Sequence, residues 1–219
     1  MKGLKLFAIF FVCIAFFIGA CKDKPSAAKP VPEIKSDTQA RMPLDSPQRI
    51  NNIVYPGVDV SPMDMSYFPV DYPKIKIASA SPGLPMARLI YSRPHLEHRK
   101  LFEGILKYEQ PWRLGANEST EIQFFQPATI QGNNIAPGRY IMYCIPHPDK
   151  WTIVFNNNVD TWGLKQDSTK DVKRFEIPVK DGNPTLQYFT MIFEKTDTGA
   201  DLIIAWENYV GRLPIAFQK

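Results

Sequence analysis

This chain is short of cysteine, histidine and long apolar runs, and each shortage removes a class of protein. Three cysteines stand at positions 13, 21 and 144. The first two fall in the N-terminal region, so Cys144 has no partner for a disulfide, and in the apolar run RYIMYCIP it reads as a small core residue. Three histidines leave little for a metal centre: HLEH (95–98) lacks one residue for H-E-x-x-H, and without a helix its histidines share no face. A zinc site from His95, His98 and Glu97 or Glu118 gives way to solvated loop histidines, so no metal and no cofactor is expected. Absent too are a G-x-S-x-G elbow, a P-loop, a G-x-G-x-x-G after a strand, and C-x-x-C, and with them the standard catalytic signatures. The basic residues form no stripe, which excludes nucleic acid as a partner. Past the first twenty residues no stretch is apolar enough to span a bilayer.

What is present begins with a targeting signal. MKGLKLFAIFFVCIAFFIGA carries Lys2 and Lys5, then an apolar run, then Gly19 and Ala20 before Cys21. The order Ile18-Gly19-Ala20-Cys21 resembles the lipobox of bacterial lipoproteins, which implies a diacylated Cys21 as mature N-terminus and a membrane-anchored envelope protein. Lys22 stands where some lipoprotein systems use aspartate for inner-membrane retention, which favours the outer membrane. Losing a leader with two lysines takes the formal charge from +4 to about +2. Residues 21–60 mix Pro, Lys, Ser, Ala and Asp without periodicity and read as a disordered tether.

From residue 61 to 219 short apolar-polar alternations separated by Gly, Pro, Asn and Asp predict one all-β domain, an antiparallel β-sandwich of jelly-roll-like type. Strands are expected at 74–78, 87–92, 120–125, 139–145, 151–156, 172–179, 186–195, 200–206 and 210–217, with no convincing helix of ten residues. Phe189, Met191 and Phe193 share one face, as do Leu202, Ile204 and Trp206. Hairpin turns are expected at APGR (136–139), DGNP (181–184) and TDTG (196–199).

The stretch YSRPHLEHRKLFEGILKYEQPWRLGANEST (91–120) concentrates the polar chemistry. Glu118 and Thr120 fall in phase with Ile122 and Phe124, which places Glu118 partly inside, where Arg93, Arg99 and Arg113 are the available partners. One reading makes this network the mortar that holds 91–120 to the sandwich. Another makes Arg93, Arg99, Arg113, Asn117 and Glu118 a ligand site, with guanidinium forks for an anionic group or sugar hydroxyls. Trp112 and Trp162, beside polar Gly-containing turns, are stacking candidates for a sugar ring, although core packing suits both; Trp151 and Trp206 read as core.

YSRP (91–94), Arg99-Lys100-Leu101-Phe102, WRLGANEST (112–120), Pro137-Gly138-Arg139-Tyr140, WTIVFNNNVDTWG (151–163) and LIIAWE (202–207) resemble, in order and spacing, the bacterial family of domain of unknown function 2911. Its members are mostly secreted proteins or lipoproteins, and the resemblance implies a compact β-sandwich-like domain in the envelope with no activity to borrow. Two stretches depart from the family's pattern. His98 stands where a glycine usually precedes the arginine, and Leu164-Lys165-Gln166-Asp167 replaces an aromatic-containing loop.

The leading expectation is a non-catalytic envelope lipoprotein that binds a polar or anionic small molecule, a glycan or a partner. A hydrolase would use Glu118 as general acid or base and Arg113 as electrostatic stabiliser, with Glu121 or Asp160 as second carboxylate. A structural or assembly lipoprotein would act through an exposed apolar surface instead.

Overall fold

The computed structural model describes residues 61–217, together with 49–50 and 53–54. The leader, Cys21 and most of the expected tether lie outside the described residues. Within the tether, β1 (Arg49–Ile50) and β2 (Ile53–Val54) pair as a short antiparallel ladder. The domain then runs β3 (Met63–Phe68), α1 (Tyr72–Ala78), β4 (Ala87–Ser92), β5 (Thr120–Phe124), β6 (Ala128–Ile130), β7 (Asn133–Ile135), β8 (Gly138–Pro146), β9 (Lys150–Asn156), β10 (Asp171–Lys195) and β11 (Gly199–Phe217).

One antiparallel sheet holds nine of these strands in the order β3-β4-β5-β8-β9-β10-β11-β6-β7. It becomes a sandwich because β10 serves both layers: residues 171–178 pair with β9, and residues 179–195 pair with β11. The inward side chains meet across the gap. Tyr91 of β4 lies edge-on to Phe189 of β10 at 5.7 Å, and Phe68 of β3 stacks on Phe217 of β11 at 5.2 Å. Phe189, Met191, Phe193, Leu202, Ile204 and Trp206 are all buried, as their period-two phase requires. Burying such a face is what holds a sheet closed, at about 25 cal/mol per Å² of apolar surface.

Three local expectations are corrected. KIKIA (74–78) is not a strand but the body of α1, whose start is set by Pro73 in its first turn, and only Tyr72 of this helix is buried. DGNP (181–184) is not a hairpin: β10 continues through it, with a register shift between Asp181 and Leu186 that takes up the irregularity. APGR leads from β7 into β8, which do not pair. The TDTG hairpin is present, closed by the Thr196 amide on the Gly199 carbonyl at 2.9 Å.

Candidate functional site

Residues 93–119 leave the sheet between β4 and β5, and every backbone group they bury needs a partner. Four anchors supply them. The Leu96 amide donates to the Gln187 carbonyl, and the Phe189 amide to that of Pro94. The Leu101 amide donates to Glu207 Oε2 at 3.0 Å. Glu109 reaches the Pro146 carbonyl at 2.8 Å, and Trp112 exchanges two 2.7 Å bonds with Cys144. Glu207 is 8% exposed and also faces the Lys100 ammonium at 3.1 Å. The mortar of this segment is therefore mostly main chain, plus one carboxylate from β11, Glu207, which falls just outside the strand expected at 200–206.

Arg93 is also mortar. Its Nε donates to the Phe189 carbonyl, Nη2 to Thr190 Oγ1, and Nη1 to Asp64 at 3.3 Å, which ties the end of β4 to β3 and β10. The Tyr91 hydroxyl beside it, pushed up to about 12 chiefly by burial, donates to the same aspartate.

Over the anchored segment opens a cavity of about 630 Å³, within the range of small-molecule sites. Its floor is apolar: Trp112 and Trp206 stack at 5.7 Å, and Trp112 donates its indole N–H to the Gly115 carbonyl. Its walls carry Arg99, Lys107, Arg113 and Gln110, and no carboxylate. Arg99 is oriented by bonds from Nε to the Leu96 carbonyl and from Nη2 to that of His95, with Glu97 at 3.4 Å outside the lining. Arg113 Nη1 donates to the Trp162 carbonyl at 3.3 Å. Lys107 is exposed. Gly115 is required here: at φ +156° a Cβ would stand 3.1 Å from the Ser92 carbonyl.

Three of the seven expected ligand residues, Arg99, Trp112 and Arg113, thus line one cavity. Trp112 contributes as its buried floor. Arg93 does not line it. Asn117 takes a left-handed turn conformation at φ +60°, as its type allows, and lines neither this cavity nor the next. Glu118 is exposed, and Arg93 and Arg99 pair with Asp64 and Glu97 instead, because β5 begins only at Thr120 and its alternation does not extend back two residues. Trp162 is 53% exposed, where core packing was expected. Lys107 and Gln110 were missed, since an isolated Lys in a polar loop carries no sequence signal until the loop folds.

A second cavity of about 510 Å³ takes in Glu118, Glu121, Asp160, Arg88, Arg139 and Ser119. Arg139 holds Glu121 through Nε at 2.9 Å and Nη2, and Asp160 through Nη2 at 2.7 Å. Those partners, Glu121 first, hold its guanidinium above the ordinary arginine range. Gly163 separates the two cavities. It lines the first and packs against Ser119 of the second so closely that a Cβ would lie 2.2 Å from Ser119 Oγ, and its φ of +78° favours glycine besides.

Of the two departures from the family pattern, one borders a cavity and the other lines neither. His98 sits at φ +63°, a conformation glycine enters freely and other residues reach at a cost of about 1 kcal/mol. Leu164, 75% exposed, lines the first cavity's edge where the pattern has an aromatic-containing loop. Among the described residues no cluster of three or more His, Cys, Asp or Glu is placed to hold a metal ion.

The fold and its cavities define an antiparallel β-sandwich with a cationic, tryptophan-floored recess beside its edge. The chain belongs to the family described as Protein of unknown function (DUF2911), whose model matches residues 73–215. Neither the curated proteins nor the solved structures contain a match to it.

Proposed function

We propose that the domain is a non-catalytic binding module for a small anionic ligand, carried by an envelope lipoprotein anchored through Cys21. The observation behind the reading is the lining of the first cavity: Arg99, Lys107 and Arg113 converge over an indole floor with no carboxylate among the walls. Cations of one sign gathered around one cavity raise the local positive potential, and an anion that bridges them gains affinity from it. The planar guanidinium forks suit a carboxylate or phosphate, and the ammonium adds a mobile point charge. Binding is favoured over hydrolysis because Glu121 and Asp160, the candidate second carboxylates, are both held by Arg139. The anchor rests on the sequence Ile18-Gly19-Ala20-Cys21.

Trp112 and Trp206 make the reading testable without a label. Titration of the full chain in detergent micelles with inorganic pyrophosphate is expected to change tryptophan emission saturably, with an affinity that falls as salt rises. Glycerol at the same concentrations is expected to do nothing. Emission that ignores pyrophosphate, or responds to both alike, sinks the proposal.

A further inference from the structure

The second cavity differs in chemistry from the first. Its two guanidiniums face three carboxylates, so an anion is disfavoured there. Arg139 is already neutralised by Glu121 and Asp160, which fixes a donor between two acceptors. A sugar hydroxyl donates one hydrogen bond and accepts others, so neighbouring hydroxyls on a ring are satisfied by a wall where carboxylate acceptors alternate with guanidinium donors.

Two further groups in the lining have unmet hydrogen bonds. Ser119 is 8% exposed, and its Oγ has no partner; nor has the Nε of Arg88, whose Nη2 is held by Gln123 at 2.6 Å. Buried polar atoms are rarely left so, and these two lie just behind the lining of one cavity, where a small shift of the lining would bring them to a polar ligand. Trp162, exposed on the loop between Thr161 of this cavity and Gly163 of the first, offers the apolar surface on which a pyranose ring stacks.

We infer that the second cavity and Trp162 form a saccharide site, and that the ligand shared by the two cavities is an anionic saccharide, a sugar carrying a carboxylate or phosphate. The sugar end stands on the second cavity alone; the charged end rests on the anion reading of the first. The loop 160–164 borders both cavities, and Gly163 of the first packs against Ser119 of the second.

The test is calorimetric titration of the full chain in micelles with maltotriose, trigalacturonic acid and inorganic pyrophosphate. Trigalacturonate is expected to bind at least tenfold more tightly than maltotriose. Trp162→Ala and Glu118→Gln, both at exposed positions that leave folding intact, weaken the two trisaccharides at least tenfold and leave pyrophosphate within twofold. Lys107→Met does the converse, weakening trigalacturonate and pyrophosphate and sparing maltotriose. Pyrophosphate binding with no trisaccharide binding overturns the inference and leaves the anion reading standing. Trisaccharide binding indifferent to Trp162 and Glu118 also overturns it. Trisaccharide binding without pyrophosphate binding upholds the saccharide site and removes the anion reading.

Discussion

Glu207, not Glu118, is the carboxylate this fold withdraws from water. Its left-handed φ of +51° in β11 turns it toward the Leu101 amide, and Lys100 covers it from the solvent side. Truncation strands a buried N–H, so Glu207→Ala is expected to cost about 2 kcal/mol and lower the melting temperature by roughly 4–8 °C, with Glu207→Gln, which keeps an acceptor, losing less. A melting temperature unchanged in Glu207→Ala would show that the 91–120 segment is held without it. Cys144 gives a pH test. Burial pushes its thiol well above the ordinary 9.0, so the unfolded chain releases this proton first as pH rises. Its contribution is fully present below pH 9.0 and is lost above it, at about 1.4 kcal/mol per pH unit. Urea unfolding at pH 8, 9 and 10 is expected to show a shallower alkaline decline for Cys144→Ala than for the wild type, whatever the absolute stabilities. Equal slopes would contradict the thiol's burial. Tyr91 and Tyr209, both raised to about 12 chiefly by burial, add the same decline above pH 10 to both proteins.

At the scale of elements, legibility followed burial. β4 and β5 carry one inward face, and their alternation was visible in ARLIYS and TEIQFF, while β8 and β9 are buried on both faces and were visible as the apolar runs RYIMYCI and WTIVFN. The long β10 and β11 each read as two strands; in β10 this is because DGNP has turn composition but forms an irregularity within the strand, just past the point where its partner changes from β9 to β11. In α1 the order Lys-Ile-Lys-Ile alternates like a strand, and two turns of helix exposed on nearly every side leave no 3.6-residue stripe to detect; Pro73 was the one helical signal. The short β6 and β7 escaped notice, three residues being too few for a period. The arginines of the candidate site were legible by type, while their sorting into mortar (Arg93), cavity wall (Arg99, Arg113) and ion-paired clamp (Arg139) depended on contacts up to about a hundred positions away in sequence. The hairpin that joins β10 to β11 has its own test. A Cβ on Gly199 would lie 2.2 Å from the Ile215 carbonyl, so Gly199→Ala forces backbone apart and is expected to cost about 1–3 kcal/mol, read as a lower urea midpoint with unchanged slope. A midpoint equal to wild type would mean that this part of β11 yields freely.

At the scale of the whole molecule, the proposed lipid anchor and the proposed site are separate properties. If Cys21 is acylated, the full protein expressed in a bacterial host sediments with membranes and Cys21→Ser does not; equal sedimentation of the two would remove the lipid anchor. Part of the site's electrostatics is not needed for stability, since the Lys107 side chain is exposed at the cavity wall. That separation of binding from folding is the central claim. The most direct measurement pairs pyrophosphate affinity with melting temperature for wild type and Lys107→Met. The account predicts at least tenfold weaker binding, about 1.4 kcal/mol, with the melting temperature shifted by no more than about 2 °C. Affinity unchanged in Lys107→Met, or lost only in proportion to a large fall in melting temperature, would contradict it.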